Sequence, residues 1–374
     1  MAKVVGAKSV KKKVKKPAKL SPEEKKDLRV RNSHKALIRN SLRDLGFKAS
    51  LSIADKEFTY DGATSDFDDA YILDNVVILV EYTTSSESNV TAHLKGKHIL
   101  YQKIAADGGK FLQFLSATFP SFGAEIGKSY LPHQFRVKIM YCSLNPVSSG
   151  TKALIPEAKY FDYNVAKYFQ TVAKATKHSG KFELFEFLGL RSSDVGENVK
   201  SVNTTSTQSF KGSVLPEGHS NYGSGFKVVS FYANPQSILK RAYVLRKYGW
   251  REGEVAYQRM IDVPKIANIR KYLKDERRVF INNIIVTLAS ETKILDDKDN
   301  TILPASIVDT CPAKIQLPAD FNSIGLIDGQ HRVLSYHEGG TFDDEISAMR
   351  DQQNLLITGI IFPEGMSDAE KLKF

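Results

Sequence analysis

The stretch Asp74-Asn75-Val76-Val77-Ile78-Leu79-Val80-Glu81-Tyr82 decides the fold of the first half of this chain. Its five aliphatic residues, 76–80, run without an intervening polar residue, which is typical of a central strand covered on both faces. The dipeptide Asp74-Asn75 predicts a tight turn that joins this strand to a preceding one over residues 70–73. The stretch therefore predicts a hairpin whose second strand lies inside a sheet.

Segments on either side of this hairpin extend the pattern. Residues 33–45 predict a helix, because Ser33 is a suitable N-cap and Gly46 a suitable stop. The remaining segments of the first half are predicted as strands over 52–59, 70–73, 76–82 and 135–142, with a helix over 90–105. The resulting order, α-β-β-β-α-β, predicts an α/β fold.

The second half also alternates strands and helices, so we predict α/β structure there as well. The polar residues 190–208 follow a predicted helix over 157–177 and are typical of an interdomain linker. The later elements are predicted as strands over 228–232, 281–288, 324–327 and 355–362, with helices over 235–245, 263–273 and 331–337. We divide the chain into four parts: a basic disordered tail (1–30), a first domain (31–190), a linker (191–208) and a second domain (209–374).

The net charge of +11 is concentrated at the N-terminus. Residues 1–20 hold eight lysines and no acid, so the remaining residues carry only +3 (11 minus 8). We expect this tail to be disordered, because like charges repel and little apolar surface is available to pack. Contact with nucleic-acid phosphates and a purely solubilising role are equal alternatives for it.

Cysteine usage and hydropathy exclude several classes of protein. Cys142 and Cys311 are far apart and lack Cys-x-x-Cys spacing, which argues against a disulfide framework or a cysteine zinc site and favours a reducing, cytoplasmic setting. No apolar run approaches the roughly 20 residues that cross a bilayer, so we expect no membrane partner. The chain has neither Gly-x-Ser-x-Gly nor His-Glu-x-x-His, which gives no support to serine or zinc hydrolases.

Acidic residues flank the predicted hairpin. Asp68 precedes its first strand and Glu81 ends its second, so the two carboxylates can meet at one end of the sheet. Oxygen ligands suit a hard cation such as Mg²⁺, which activates water and stabilises charge on a scissile phosphate. Acids beside a turn are more often solvated surface residues, but the adjoining apolar strand makes a functional site an equal alternative.

The α-β-β-β-α-β order with these acids resembles the core of the PD-(D/E)XK nucleases over about residues 33–145. The resemblance implies that Asp68 and Glu81, with the carbonyl of Tyr82, hold Mg²⁺ or Mn²⁺. It also implies a catalytic lysine two positions after the glutamate, where this chain has Thr83.

Some members of that family carry the lysine on the following helix. The helix of this chain offers Lys97 and Lys95. We favour Lys97, because it lies four residues after His93 and shares a helix face with it, and Lys95 is the second choice.

The run Asp328-Gly329-Gln330-His331-Arg332 joins a predicted strand to a predicted helix. Gly329 allows a positive φ or a close backbone approach, and the free N–H groups of a helix start attract anions. Arg332 offers a planar fork for a phosphate, and Gln330 suits a base or sugar edge. The run therefore predicts a phosphate cradle.

Structural roles are alternatives for the same residues. Asp328 is a candidate helix cap, and Arg332 a candidate surface ion-pair partner of Asp343 or Glu338. His331 is either a ligand contact or a buried polar residue that holds the loop. We interpret the five residues in this setting as functional, because strand, turn and helix start agree.

The run is similar to the signature of the DGQHR-domain family, which includes DndB-type proteins linked to DNA phosphorothioation. Its last four residues are also similar to the nucleotide motif of the ParB/sulfiredoxin fold. Other stretches that resemble the family, within residues 208–374, are Phe210-Lys211-Gly212, Tyr257-Gln258-Arg259 and Phe280-Ile281-Asn282-Asn283-Ile284-Ile285.

The resemblance implies a ParB/sulfiredoxin-like second domain that binds DNA or a nucleotide, a nucleoside triphosphate among the candidates. The residues implied in binding are Asp328, Gly329, Gln330, His331, Arg332, Gln258 and Arg259. Family members usually continue further, so we expect the natural chain to extend beyond Phe374.

Together these features predict a DNA-targeting protein of bacterial defence or DNA modification-restriction. The first hypothesis is a Mg²⁺-dependent endonuclease joined to a DGQHR domain that binds nucleotide or DNA. The second is a non-catalytic DNA-binding regulator or accessory factor with a degenerate nuclease fold. DNA is the expected partner. A nucleotide, a second copy of the chain and proteins of a defence system are further candidates.

Overall fold

The computed structural model describes residues 21–200, 207–243, 250, 261–367 and 370. They form a mixed α/β fold with a five-stranded sheet in the first half and an eight-stranded sheet in the second. The lysine-rich start of the tail, residues 201–206 of the predicted linker, Gln258, Arg259 and residues 371–374 lie outside the described residues. Within those ranges, no helix is both long enough and apolar enough to cross a membrane.

Helices and strands are mixed along the described chain, with consecutive strands over residues 48–83 and 284–328. The α-helices are α1 (Pro22–Asp44), α2 (Glu87–Ala106), α3 (Gly108–Thr118), α4 (Pro120–Ile126), α5 (Ser149–Leu154), α6 (Tyr163–Thr176), α7 (Lys181–Phe187), α8 (Glu217–Ser220), α9 (Pro235–Arg241), α10 (Val263–Glu276), α11 (Gln330–Leu334) and α12 (Asp343–Gln352). The strands of the first half are β1 (Lys48–Ser50), β2 (Phe58–Tyr60), β3 (Ala63–Ser65), β4 (Asp69–Leu73), β5 (Val76–Thr83), β6 (Arg136–Ser143) and β7 (Ala158–Tyr160). Those of the second half are β8 (Gln208–Leu215), β9 (Lys227–Ala233), β10 (Ala242–Tyr243), β11 (Ile284–Leu288), β12 (Lys293–Leu295), β13 (Cys311–Leu317), β14 (Ile324–Asp328) and β15 (Leu355–Ile361).

Strand β5 lies at the centre of the first sheet, whose order is β1-β4-β5-β6-β7. It runs antiparallel to β4 and parallel to β6, and residues 76–80 are 0% exposed. Val77 and Leu79 pack in the cluster that contains residues of α2 and α3, whereas the alternate residues pack with α1 and α6. The predicted strand covered on both faces is therefore confirmed, as is the turn, where Asp74 has a φ of 51°.

Helix α1 begins at Pro22 rather than at the predicted Ser33. Ser21 caps it: the Ser21 hydroxyl accepts from the backbone N–H of Glu24, and the Glu24 carboxylate accepts from the N–H of Ser21. This is a capping box with proline at the first helical position, both strong start signals. Residues 22–30, which the sequence placed in a disordered tail, are therefore helical.

Other predicted elements have different bounds. The strand predicted over 52–59 is interrupted, because Asp55 has a φ of 53° and breaks the extended backbone between β1 and β2. The helix predicted over 157–177 is preceded by the strand β7, and α6 begins only after Asp162, whose carboxylate caps it. Strand β13 was not predicted; Pro312 is its second residue, near the strand start where proline is tolerated.

The predicted linker packs against the first sheet. The side chain of Asn75 donates to the carbonyl of Asp194 at 2.8 Å and accepts from the N–H of Gly196 at 2.8 Å. Residues 192–194 and 196–200 form short 3₁₀ turns at this place. This part of the linker is therefore folded onto the β4–β5 hairpin.

The eight-stranded sheet has the order β10-β14-β11-β15-β9-β8-β13-β12. Strand β14 lies between β10 and β11 and ends at Asp328, so the Asp328–Arg332 run begins at the end of an inner strand. Gly329 has a φ of 88°, and a Cβ atom there would lie 2.4 Å from Cδ1 of Ile284. Both the backbone conformation and the space require glycine at this turn.

The loop after α11, residues 335–341, is called the junction loop below. Arg270 of α10 is 3% exposed and holds this loop from the second half. Its guanidinium donates to the backbone carbonyls of Ser335, His337, Gly339 and Thr341, at distances of 2.8 to 3.2 Å. Burial lowers the pKa of Arg270 to about 10, and these carbonyls replace the hydration that burial removes.

The junction loop also contacts the first half. Lys181 Nζ lies 2.7 Å from Glu338 Oε2, and the N–H of Glu338 donates to Ser179 Oγ at 2.8 Å. The N–H of His178 donates to the carbonyl of Glu338 at 3.1 Å. A Cβ atom on Gly339 would lie 3.2 Å from the ring of His178, so the two segments are in close contact. The loop therefore connects the Asp328–Arg332 turn to the segment between α6 and α7.

His337 makes the stability of this loop sensitive to pH. It is 4% exposed, and burial lowers its pKa to about 3 from an ordinary value of 6.5. Below pH 6.5 the unfolded chain binds a proton that the folded protein does not take up until about pH 3, so stability is lost as pH falls through this window. We expect His337→Gln to flatten the decline in the free energy of unfolding from about pH 6.5 to about pH 4, measured by urea unfolding.

His133→Gln is the matched control, because His133 is exposed to solvent and should leave the slope unchanged. An equal slope in wild type and His337→Gln would contradict a neutral, buried His337.

Candidate functional site

Glu81 ends the buried run of β5 and is itself only 3% exposed. From α2, Lys97 Nζ lies 2.6 Å from Glu81 Oε1, and the Tyr101 hydroxyl donates to the same oxygen at 2.9 Å. His93 Nε2 lies 3.5 Å from the other oxygen, Oε2. Burial raises the pKa of Glu81, and the nearby charge of Lys97 opposes that rise. One buried carboxylate is thus held by three side chains of a single helix.

These three side chains share a helix face because His93, Lys97 and Tyr101 are spaced four residues apart. The sequence offered Lys97 and Lys95 as alternatives; Lys97 contacts Glu81, whereas Lys95 is exposed to solvent. Tyr101 was not predicted, although the same four-residue step beyond Lys97 points to it. Burial raises the pKa of the Tyr101 hydroxyl, which keeps it a hydrogen-bond donor to Glu81.

Asp68 directly precedes β4, whose first residue, Asp69, pairs with Val80, the residue before Glu81 on β5. Its Oδ1 accepts from Lys35 Nζ at 2.7 Å, and its Oδ2 accepts from the N–H of Tyr82 at 2.8 Å. The two predicted acids are therefore brought to the same end of the sheet, but each carboxylate has its own lysine. Lys35 was not singled out in the sequence.

The neighbouring Asp69 has a structural role. Arg39 of α1 donates to both of its oxygens, at 2.7 and 3.0 Å, and the Tyr82 hydroxyl donates to it at 2.7 Å. Asp69 is 6% exposed, and its hydrogen bonds raise the pKa of Arg39. A bidentate pair of this kind fixes the position of α1 on the sheet.

A cavity of about 230 Å³, called the α1 pocket below, lies beside Asp68. Arg31, His34 and Lys35 of α1 line one side, and Asp68 and residues 82–85 line the other. His34 is 2% exposed, and its Nε2 donates to the carbonyl of Cys142 at 3.2 Å. Burial lowers the pKa of His34 and so disfavours its charged form. The charged groups of the pocket are two cations and one carboxylate.

The donor atoms at this end of the sheet are of the type that Mg²⁺ or Mn²⁺ prefers, namely carboxylate and carbonyl oxygens. Glu81 Oε2 lies 3.5 Å from His93 Nε2. Both oxygens of Asp68 are engaged, so an ion on Asp68 would replace the contact with Lys35. Across the described ranges, no group of three or more His, Cys, Asp or Glu side chains is placed to hold a metal ion. The fit rests on Asp68, Glu81 and the carbonyl of Tyr82 alone.

In the Asp328–Arg332 turn, Arg332 pairs within the turn. Its Nη2 lies 3.1 Å from Asp328 Oδ2, and its Nη1 is buried with no hydrogen-bond partner among the described residues. Asp343 and Glu338 have other partners, so the predicted surface pairing of Arg332 with either of them is wrong. A guanidinium with an unused, preorganised N–H group is suited to an anion.

The other members of the turn have more structural contacts. His331 Nε2 accepts from the N–H of Asp262 at 3.1 Å, and burial lowers its pKa. Gly329 is the N-cap of α11, with no side-chain cap bond, so the alternative of Asp328 as the cap is wrong. Gln330 is 9% exposed. For an anionic ligand such as a nucleotide, Arg332 is therefore the group that this turn offers.

Comparisons of the chain with family models, with curated proteins and with solved structures found no match. The resemblances to the PD-(D/E)XK nucleases and to the DGQHR and ParB/sulfiredoxin folds stay predictions from the sequence. The function of the site is therefore inferred from the contacts of its own residues.

The Lys97–Glu81 pair should be strongly coupled in stability. Lys97→Met leaves a buried carboxylate without its cation, and we expect the free energy of unfolding to fall by about 3 kcal/mol. Adding Glu81→Gln should restore part of that loss, giving a coupling energy on the order of 1–3 kcal/mol in a double-mutant cycle measured by urea unfolding.

Lys95→Met is the control on the same helix, and we expect it to show no coupling with Glu81→Gln. Strict additivity of Lys97→Met and Glu81→Gln would show that the contact makes no net contribution to stability.

Proposed function

We propose that residues 21–200 hydrolyse phosphodiester bonds of nucleic acid in a reaction that depends on Mg²⁺ or Mn²⁺. The observation that carries the proposal is the ammonium of Lys97, 2.6 Å from the buried carboxylate of Glu81 at the end of the central strand. Thr83 stands where the nuclease resemblance expects a lysine, and Lys97 supplies an ammonium group at that carboxylate from α2 instead.

Asp68, Glu81 and the carbonyl of Tyr82 would hold the cation in this proposal. A bound cation would lower the pKa of a coordinated water and offset negative charge on the phosphate. Lys97 orients the attacking water and stabilises charge that develops on the phosphate oxygens. Tyr101 is a positioning residue, because its hydroxyl holds Glu81 Oε1 from the buried side.

The second half supplies recognition in this proposal, with Arg332 binding a phosphate of DNA or of a nucleotide. Its unused Nη1 supports this role. A DNA-cutting first half joined to such a second half suits restriction or anti-phage defence, and this is the role we propose for the whole chain.

A non-catalytic DNA-binding protein is the second candidate. One contact favours it: Lys35 Nζ already neutralises Asp68 at 2.7 Å, the carboxylate that would have to hold the cation. In this alternative the same surface binds nucleic acid, and Asp68 and Glu81 serve only to order the lysines.

A plasmid-nicking assay with the full chain tests the first proposal. With Mg²⁺ or Mn²⁺ present, we expect wild type to nick supercoiled plasmid and both Glu81→Gln and Lys97→Met to reduce the rate at least about 100-fold. Lys95→Met should cut at the wild-type rate, because Lys95 is exposed and does not contact Glu81.

Failure of wild type to cut with either metal, while it still binds DNA, would overturn hydrolysis and favour the second candidate. Equal losses in Lys95→Met and Lys97→Met would instead mean that positive charge on α2 matters without a specific role for Lys97.

Arg332→Ala tests the second half. We expect its affinity for a fluorescent nucleoside triphosphate or for labelled DNA to fall roughly tenfold, the loss of one charge-assisted hydrogen bond. Binding is measured by fluorescence anisotropy, with a circular dichroism spectrum to confirm that the variant is folded.

Arg278→Ala is the matched control, since Arg278 is a solvent-exposed arginine outside the turn. Unchanged affinity in a folded Arg332→Ala protein would overturn the role of Arg332.

A further inference from the structure

The α1 pocket has an excess of positive charge that the proposed chemistry does not use. Lys35 is paired with Asp68, so these two charges offset each other. Arg31 also lines the pocket and, within the described ranges, forms no ion pair. Burial lowers the pKa of His34, which disfavours a charge on its ring. The pocket therefore carries about one unit of uncompensated positive charge, located on Arg31.

Arg31 differs in this respect from other cations of the first half. Lys35, Arg39 and Lys97 each lie within 2.7 Å of a carboxylate oxygen. These three have charge partners that position them in the folded protein. Within the described residues, no carboxylate forms an ion pair with Arg31, so its charge is available to an anionic ligand.

Hydroxyl groups complete the other side of the pocket. Thr84 and Ser85 line it, directly after the last residue of β5. Their backbone carbonyls accept from the side chain of Asn145, at 3.4 and 3.1 Å, which fixes the backbone here. No hydrogen bond of their hydroxyls to another described residue is found. A cavity lined by an arginine and by neutral hydroxyl groups is a suitable setting for a phosphate group.

The position of the pocket relates it to the proposed reaction. Asp68 lies in its wall and accepts from the N–H of Tyr82, the residue after Glu81. A group bound in the pocket therefore lies next to Asp68, one of the residues proposed to hold the cation. A nucleic-acid strand carries a phosphate on each nucleotide, so an anion bound beside the reacting phosphate would be a neighbouring phosphate of the same strand.

We propose that the α1 pocket binds a phosphate of the nucleic-acid strand, next to the phosphate that is cut, through Arg31 and the hydroxyls of Thr84 and Ser85. This inference rests on the proposed function for its substrate class, but binding in the pocket does not require hydrolysis. Arg31 and Thr84 are binding residues here and have no part in holding the cation.

Binding measured without hydrolysis tests the pocket. We use the full chain carrying Glu81→Gln in EDTA, with a fluorescein-labelled single-stranded 20-nucleotide DNA, and follow anisotropy over a range of salt. Arg31→Gln should raise Kd about 3- to 10-fold and make the slope of log K against log salt shallower by about one. Thr84→Val should raise Kd less and leave that slope unchanged, because it removes a hydrogen bond and no charge.

Arg29→Gln is the matched control on the same helix, exposed and not in the pocket wall. We expect it to have little effect on Kd. Equal effects of Arg29→Gln and Arg31→Gln would overturn the pocket, because they would indicate general attraction by α1. Unchanged binding in Arg31→Gln would overturn it as well.

Competition separates the sources of the phosphate. We expect unlabelled 20-nucleotide DNA to displace the probe at far lower concentration than a mononucleotide or inorganic phosphate. Displacement by a mononucleotide at the same concentration as DNA would overturn the assignment to a strand. If wild type fails to nick plasmid while Arg31→Gln weakens DNA binding, the nuclease function is overturned and the phosphate-binding pocket is supported. If nicking depends on Glu81 while Arg31→Gln has no effect on binding, the pocket is overturned and the nuclease function is supported.

Discussion

The complete burial of β5 is the constraint on which the first half of the structure depends. A strand with both faces covered needs a helical layer on each side, and α1 with α6 and α2 with α3 supply them. Glu81 continues the same strand, so its carboxylate is taken out of water together with the aliphatic residues before it. An isolated buried carboxylate costs several kcal/mol. Lys97 and Tyr101 offset that cost, which also fixes the rotation of α2 about its axis.

The sequence was most informative where a short local pattern determines the structure. The aliphatic run 76–80 and the Asp74-Asn75 turn were enough to predict the central hairpin, and the four-residue step from His93 was enough to select Lys97. The start of α1 is also encoded locally, in Ser21, Pro22 and Glu24. The helix was predicted to start later because its apolar face begins only after this first part. Strand β13 was not predicted, and it contains proline only as its second residue, where a strand tolerates it.

Contacts between distant elements were not predictable from spacing. Lys35 pairs with Asp68, and Arg39 pairs with Asp69, because α1 packs against the start of β4. Neither segment contains a sequence pattern that predicts this packing. The α1 pocket follows from the same packing. In the second half, the sequence offered a positive φ or a close backbone approach as reasons for Gly329. The structure has the positive φ, and the side chain of Ile284 that crowds a Cβ atom there comes from another strand.

The junction loop has a consequence for how the protein comes apart. Arg270 holds its carbonyls from one side, and Lys181 and Ser179 hold Glu338 from the other. Opening of the first half alone would remove Lys181 and Ser179 from Glu338 in the folded second half. Opening of the second half alone would leave Lys181 in the folded first half without its carboxylate partner. The two halves should therefore behave as a single cooperative unit in hydrogen exchange, with the amides of α6 and α10 opening together rather than in separate steps.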